Sequence, residues 1–302
     1  MKFSTTIAVL TAGLAHAIPT TKRQESGPTD VDILQYALTL EHLEAAFYAE
    51  GLKNFTAADF AAAGYNSTIY NNVAIIAKDE AAHVDFLTKA INAAGGMPQQ
   101  ACIYRFNVAD VKGFLATASV LEGVGVSAYL GVAADIMSKT YLTAAGSILT
   151  VEARHSAYLR ASQRPGQVPF AQPFDNPLEV RSVYTLASPF VVGCPRTNHM
   201  PPFAPFPALK VASVDGSGVT TGSVLELTTP GADVVAVGNA TVYAAFITAT
   251  GPVSAVAQKT KTGFTVTVPA DVKGQSYVVL TGCPDDASDD TIVAGPAIIE
   301  IA

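Results

Sequence analysis

The chain has 302 residues, of which 49% are hydrophobic and only 14% charged, and it carries a formal charge of −7. That length suffices for about two domains with full cores, and the apolar content excludes a disordered or collagen-like chain. The acidic balance excludes nucleic acid as a default partner and argues against an anionic membrane surface.

Lys2, an apolar run from Ile7 to Leu14 and the triplet Ala15-His16-Ala17 make the pattern of a secretory signal peptide. Lys22-Arg23 reads as a dibasic processing site, so residues 1–23 are expected to be a signal peptide (to about 17) and a pro-segment, outside the fold. The expected location is extracellular, either free or in the cell wall. Asn54, Asn66 and Asn239 each open an Asn-x-Thr sequon, which makes them candidate glycosylation sites. Three cysteines in an oxidising compartment predict one disulfide and one odd thiol. Cys102 with Cys194 is the favoured pair, because both border the same helical region; a bond from either to Cys283 is the alternative.

Residues 28–195 read as a four-helix unit. The first helix, 30–52, places Leu34, Leu38, Glu41, Ala45, Tyr48 and Leu52 on one stripe, with Asp30 or Asp32 as its N-cap. The second, 70–94, aligns Val73, Ile76, Glu80, His83, Leu87 and Ile91 and stops at Gly95-Gly96. The third, 108–138, aligns Leu115, Ala118, Glu122, Val126, Tyr129 and Ile136. It contains the most apolar stretch of the chain, Phe114 to Met137, but Glu122 and Asp135 inside it favour a buried helix, and no membrane span is expected. The fourth, 140–162, aligns Ala145, Ile148, Glu152, His155 and Leu159, and Pro165 prevents its continuation. A short helix is predicted near 178–186. Residues 196–208 form a Pro-rich linker or extended strap. From 209 to 302, short Val-, Thr- and Ile-rich runs separated by Gly, Pro and Asp predict a small antiparallel β-sandwich. The fold class is therefore α+β and multidomain: a helical bundle, then a β-sandwich.

The informative residues are those that interrupt the apolar stripes. Glu41, Glu80, His83, Glu122, Glu152 and His155 all fall on faces that should point inward. A lone buried carboxylate costs several kcal/mol, so such groups must be paired, protonated or bound to a cation. Glu80-Ala-Ala-His83 and Glu152-Ala-Arg-His155 each set a carboxylate and an imidazole one turn apart on one helix face. The other two helices each carry one such Glu with a Tyr seven residues later, Tyr48 after Glu41 and Tyr129 after Glu122. Six groups converging from four helices need a common partner, and two metal ions would provide one. Mixed carboxylate and imidazole ligands suit iron or manganese. Each tyrosine reads either as a core aromatic or as an outer hydrogen-bond donor that orients a ligating carboxylate. His42, about 100° around the helix from Glu41, reads as a surface or interface residue. Glu44 and Glu50 read as solvated, with Glu44 one turn from Glu41 and within reach as an outer contact.

The segments Leu40-Glu-His-Leu-Glu-Ala-Ala-Phe-Tyr48, Lys78-Asp-Glu-Ala-Ala-His83, Leu121-Glu-Gly and Glu152-Ala-Arg-His155 resemble the ferritin-like superfamily, whose di-iron and di-manganese bundles use this ligand arrangement. The nearer resemblance is to its secreted fungal branch of desiccation-related, stress-response and late-sexual-development proteins, over residues 30–195 and including both Cys102 and Cys194. The resemblance implies a ferritin-like four-helix bundle and ligand roles for Glu41, Glu80, His83, Glu122, Glu152 and His155, with Glu80 and Glu152 bridging. It implies a redox protein handling O2, peroxide or ferrous iron, of peroxidase, catalase or ferroxidase type. The signal peptide and β-region are foreign to cage-forming ferritins and argue against a storage shell. A second reading keeps the bundle as a metal-poor scaffold and gives the function to the β-region, as an extracellular or cell-wall component.

Overall fold

The computed structural model describes residues 27–199, 201–213, 218–232 and 241–302. The expected signal peptide and pro-segment and the Asn239 sequon lie outside the described residues.

Four long helices build the bundle: α1 (Asp30–Asn54), α3 (Ser67–Ala93), α4 (Val111–Val132) and α5 (Lys139–Ser162). A short α2 (Ala57–Ala62), absent from the sequence reading, fills the α1–α3 connection with its own Thr56/Asp59 capping box. The N-cap of α1 is Thr29 rather than an aspartate; Asp32 is its reciprocal partner. Asp30 instead accepts from the backbone N–H groups of Met137 and Ser138, tying the start of α1 to the start of α5. The third helix is shorter than its apolar pattern suggests. Asp110 caps it, and it ends in a 3-10 turn over Ala133–Asp135. Although Val111–Asp135 is long and apolar enough to cross a membrane, 67% of its apolar window is buried against neighbouring elements.

Within the bundle, α1 packs on α3 and α4 packs on α5, and α1 meets α4 across the centre. Two apolar layers result. One is aromatic, with Phe47, Tyr48, Phe60, Phe106 and Phe114. The other gathers Leu34, Leu38, Leu87, Ile91, Tyr129 and Ile148. Each fully buried Leu or Phe contributes about 1.5–3 kcal/mol, which offsets the cost of the polar groups held between the layers.

The α3–α4 connection carries β1 (Ile103–Tyr104), which pairs antiparallel with β2 (Val191–Gly193) after the short α6 (Val180–Ala187). Cys102 and Cys194, at the ends of these strands, form a disulfide with their Cα atoms 4.2 Å apart, and Cys283 is free. The Pro-rich segment is a packed strap rather than a free linker: Phe206 is buried beneath Arg181, and the Asn198 carboxamide accepts from the Gln100 N–H and donates to the Gln100 carbonyl.

Beyond it, the described residues form two four-stranded antiparallel sheets that face each other. One has the order β10 (Ile292–Ile301), β9 (Gly274–Thr281), β5 (Tyr243–Ile247), β6 (Val253–Val256). The other has the order β3 (Lys210–Ser213), β4 (Val224–Thr228), β8 (Phe264–Thr267), β7 (Gln258–Lys259). Leu225, Leu227, Phe246, Phe264, Val278 and Leu280 fill the space between them. β6 and β7 are short and were not marked by the sequence pattern.

The β-region docks on the bundle through β9 and β10. Tyr277 Oη lies 3.0 Å from the Gly123 carbonyl, to which it donates, and 2.9 Å from Ser127 Oγ. Gln275 donates to the Val120 carbonyl and occupies the space a side chain at Gly123 would need, its amide lying 2.5 Å from that Cβ position. Arg160, buried on α5, grips Glu300 with two hydrogen bonds of 2.8 and 2.5 Å.

Candidate metal centre

Helical spacing delivers six polar side chains to the gap between the two apolar layers. Glu80, Glu122 and Glu152 are fully buried, and Glu41, His83 and His155 are nearly so. His83 Nδ1 lies 3.2 Å from Glu41 Oε2, 3.2 Å from Glu80 Oε2 and 3.3 Å from Glu152 Oε1. His155 Nδ1 lies 3.1 Å from Glu80 Oε1 and 3.2 Å from Glu122 Oε2. Two four-residue sets arise, Glu41–Glu80–His83–Glu152 and Glu80–Glu122–Glu152–His155. In each, one nitrogen or oxygen per residue lies within 4.8 Å of all the others. Glu80 and Glu152 belong to both sets.

The tyrosines work across the bundle. Tyr129 on α4 donates to Glu41 Oε1 on α1 at 2.6 Å, and Tyr48 on α1 donates to Glu122 Oε1 on α4. Each helix thus orients the carboxylate of the other.

Glu152 is the unsatisfied member. Neither of its buried oxygens has a hydrogen-bond partner among the described residues, and Glu80 Oε1 is in the same condition. A histidine lies at ion-pair distance from Glu152 Oε1 and from Glu80 Oε1, but none does from Glu152 Oε2, and without a cation Glu152 is held protonated beside Glu122. A buried, unpaired carboxylate oxygen is costly, and a cation between the two sets would satisfy it.

The electrostatics show what holds the cluster when no cation does. Burial pushes Glu41, Glu44 and Glu152 well above the usual carboxylate range, and the neighbouring carboxylates add to it. Burial raises Glu122 as well. At Glu80 burial pushes up too, but hydrogen bonds from His155 and His83 outweigh it and bring the carboxyl down to about 2. Burial pushes the imidazoles down, and the carboxylates around them reverse this, to about 12 at His83 and about 10 at His155. Protons therefore occupy positions that two divalent cations would take, and four ligand carboxylates balance the charge of two such ions.

Two further acids reach the site. Glu44, expected to be solvated, is only 4% exposed. Gly125 on α4 makes the room: a Cβ there would lie 2.8 Å from Glu152 Oε2 and 3.1 Å from Glu44 Oε1. Asp79, which the sequence reading passed over, lies 3.2 Å from His155 Nε2 and completes a carboxylate–imidazole pair aimed into the cluster. Its only sequence signal is adjacency to Glu80.

Two openings approach the cluster, and the larger lies over the histidines. α3 and α5 flank a groove of about 500 Å³ whose lining includes Ile76, Asp79, Val151, Tyr158, His83 and His155, and a smaller pocket of about 130 Å³ between α1, α4 and α6 reaches Glu44 and Gly125. The remaining candidates lie away from the cluster. His42 Nε2 contacts the Gln99 carbonyl at 3.0 Å, and Asn54 and Asn66 are exposed, Asn66 also capping α3. Cys102 and Cys194 staple the α3–α4 connection to the segment after α6.

Residues 29–164 match the family described as a ferritin-like domain. The chain is also similar to protein rds1 of Schizosaccharomyces pombe (strain 972 / ATCC 24843), with 29% identity over 184 residues. That match covers 61% of this chain and 44% of the yeast protein, so the chain spans less than half of its relative.

Proposed function

With a ferritin-like domain as the premise, we propose that this is a secreted redox protein whose bundle holds two iron or two manganese ions. Glu80 and Glu152 would bridge, Glu41 and His83 would complete one ion's set, and Glu122 and His155 the other's. The observation that carries this is the sharing of Glu80 and Glu152 by two otherwise separate sets, together with the unpartnered Glu152 Oε2. When bound, such a pair supplies electrons to O2 or peroxide, or takes them from ferrous iron.

The chain's own residues would do the rest. Tyr48 and Tyr129 fix the outer carboxylates and can return a proton to them. The apolar layers exclude bulk water, and the α3–α5 groove admits small molecules over the histidines. The Cys102–Cys194 disulfide supports an oxidising location. A role in stress or development follows from the fungal resemblance.

Anaerobic titration with Fe(II) and with Mn(II) tests the assignment. Wild type should take up about two ions per chain, and the His83→Ala/His155→Ala double variant none. Two ions retained by that variant would refute the site. Peroxide or O2 consumption by the loaded protein, against none by the variant, would separate turnover from storage.

A further inference from the structure

We propose that the cavity at the junction of α4, α5, residues 163–179 and β9 is a binding site for a neutral saccharide. The cavity holds about 330 Å³, within the range of about 300–1,000 Å³ typical of small-molecule sites. It is distinct from the metal centre and opens between the bundle and the β-region.

Asn176 carries the argument. It is 4% exposed and lines the cavity, yet its carboxamide has no hydrogen-bond partner among the described residues. The side chain is otherwise enclosed and its amide atoms open into the cavity, so a bound ligand would displace the hydrogen bonds they make to water. A ligand that both accepts from the amide N–H and donates to its oxygen would restore them, and vicinal hydroxyls do both.

The surrounding groups narrow the class. Asp175 and Arg154 line the same cavity, and neither has an ion-pair partner among the described residues. An acid disfavours an anionic ligand and a base disfavours a cationic one, so the pair selects a neutral polar molecule that can bond to both. Gln172 and Ser156 add further amide and hydroxyl groups. A fatty or purely aromatic ligand would leave all of these unpaired. At the rim, Phe170 is 82% exposed. A solvent-exposed ring beside a hydroxyl- and amide-lined cavity suits stacking on the C–H face of a pyranose.

Calorimetric titration of the full chain with neutral oligosaccharides of β-1,3-glucose, β-1,4-N-acetylglucosamine and α-1,6-mannose, and with oligogalacturonate as the charged control, tests this. At least one neutral oligomer should bind and oligogalacturonate should not. Phe170→Ala should weaken the binding about three- to tenfold. Asp175→Ala should weaken it by a similar factor, and Asn176→Ala should abolish it. Phe170 and Asp175 are exposed, so their variants remain informative if Asn176→Ala fails to fold. Absence of binding by every neutral oligomer would overturn the proposal. So would preference for oligogalacturonate, or binding unchanged in both exposed variants.

Discussion

The α1–α3 half of the bundle and the α4–α5 half contribute matching sets: Glu41 and Glu122, Tyr48 and Tyr129, Glu80 and Glu152, His83 and His155. The halves differ where one residue in each pair lacks its counterpart. Glu44, three residues after Glu41, corresponds to Gly125, three after Glu122. Asp79, before Glu80, corresponds to Val151, before Glu152. The shared set makes two overlapping groups of potential metal ligands, and the unmatched residues make their surroundings unequal. Glu44 adds a buried carboxylate near Glu152, and Asp79 sets a carboxylate behind the His155 imidazole.

The largest effects should come from the shared residues. Glu80→Ala and Glu152→Ala each break both sets, so metal uptake should fall from about two ions to none. Glu41→Ala and Glu122→Ala each break one set, and one ion should survive. Equal losses from all four variants in the same titration would show that the two positions do not act as described.

Next in size is Gly125→Ala. A methyl group there meets Glu152 Oε2 and Glu44 Oε1, and thermal unfolding should show a loss of about 1–3 kcal/mol together with weakened metal uptake. Gly146→Ala on α5, where a Cβ meets nothing within 4 Å, is the control and should gain about 0.5–1 kcal/mol.

The pH dependence has a definite sign. His83 and His155 rise from 6.5 to about 12 and about 10, so their contribution is complete below pH 6.5 and is lost as pH climbs through those values. Glu41, Glu44, Glu122 and Glu152 are raised above 4.5 and act in the same direction. Glu80, lowered to about 2, contributes above pH 4.5 and fails only as pH falls through 2. Between pH 5 and 9 the metal-free fold thus binds more protons than the unfolded chain, and its melting temperature should fall as pH rises. Metal replaces those protons, so the loaded protein should show a flat or opposite trend. Parallel melting curves for the two forms would contradict this.

The smallest effects belong to the outer contacts. Asp79→Asn should weaken uptake on the His155 side by about tenfold and leave the other ion unchanged. A uniform change at both positions would show that the halves are more alike than their sequences.

How much of this was legible depended on how far each feature needed a partner. The six inward residues stood out because charge on an apolar helical stripe is costly, and helical periodicity alone gives that stripe. The four long helices and six of the strands followed from the same kind of pattern. Glu44 looked solvated because its burial depends on Gly125, on another helix and 81 positions away. Asp79 lies off the stripe of its own helix, and its role appears only once α5 packs alongside. Asp30 looked like a cap for its own helix, whereas it serves the start of α5. The strands of the β-region alternate without a costly residue on their inner face, so they announced a fold and no site. The saccharide cavity proposed above is assembled from four segments: α4, α5, residues 163–179 and β9.

The most direct measurement is elemental mass spectrometry on the protein produced in a fungal host and never exposed to chelator. About two iron or manganese atoms per chain are predicted, falling to none in Glu152→Ala. A metal-free protein that also refuses Fe(II) and Mn(II) would contradict the account and reduce the six residues to a proton-linked polar core.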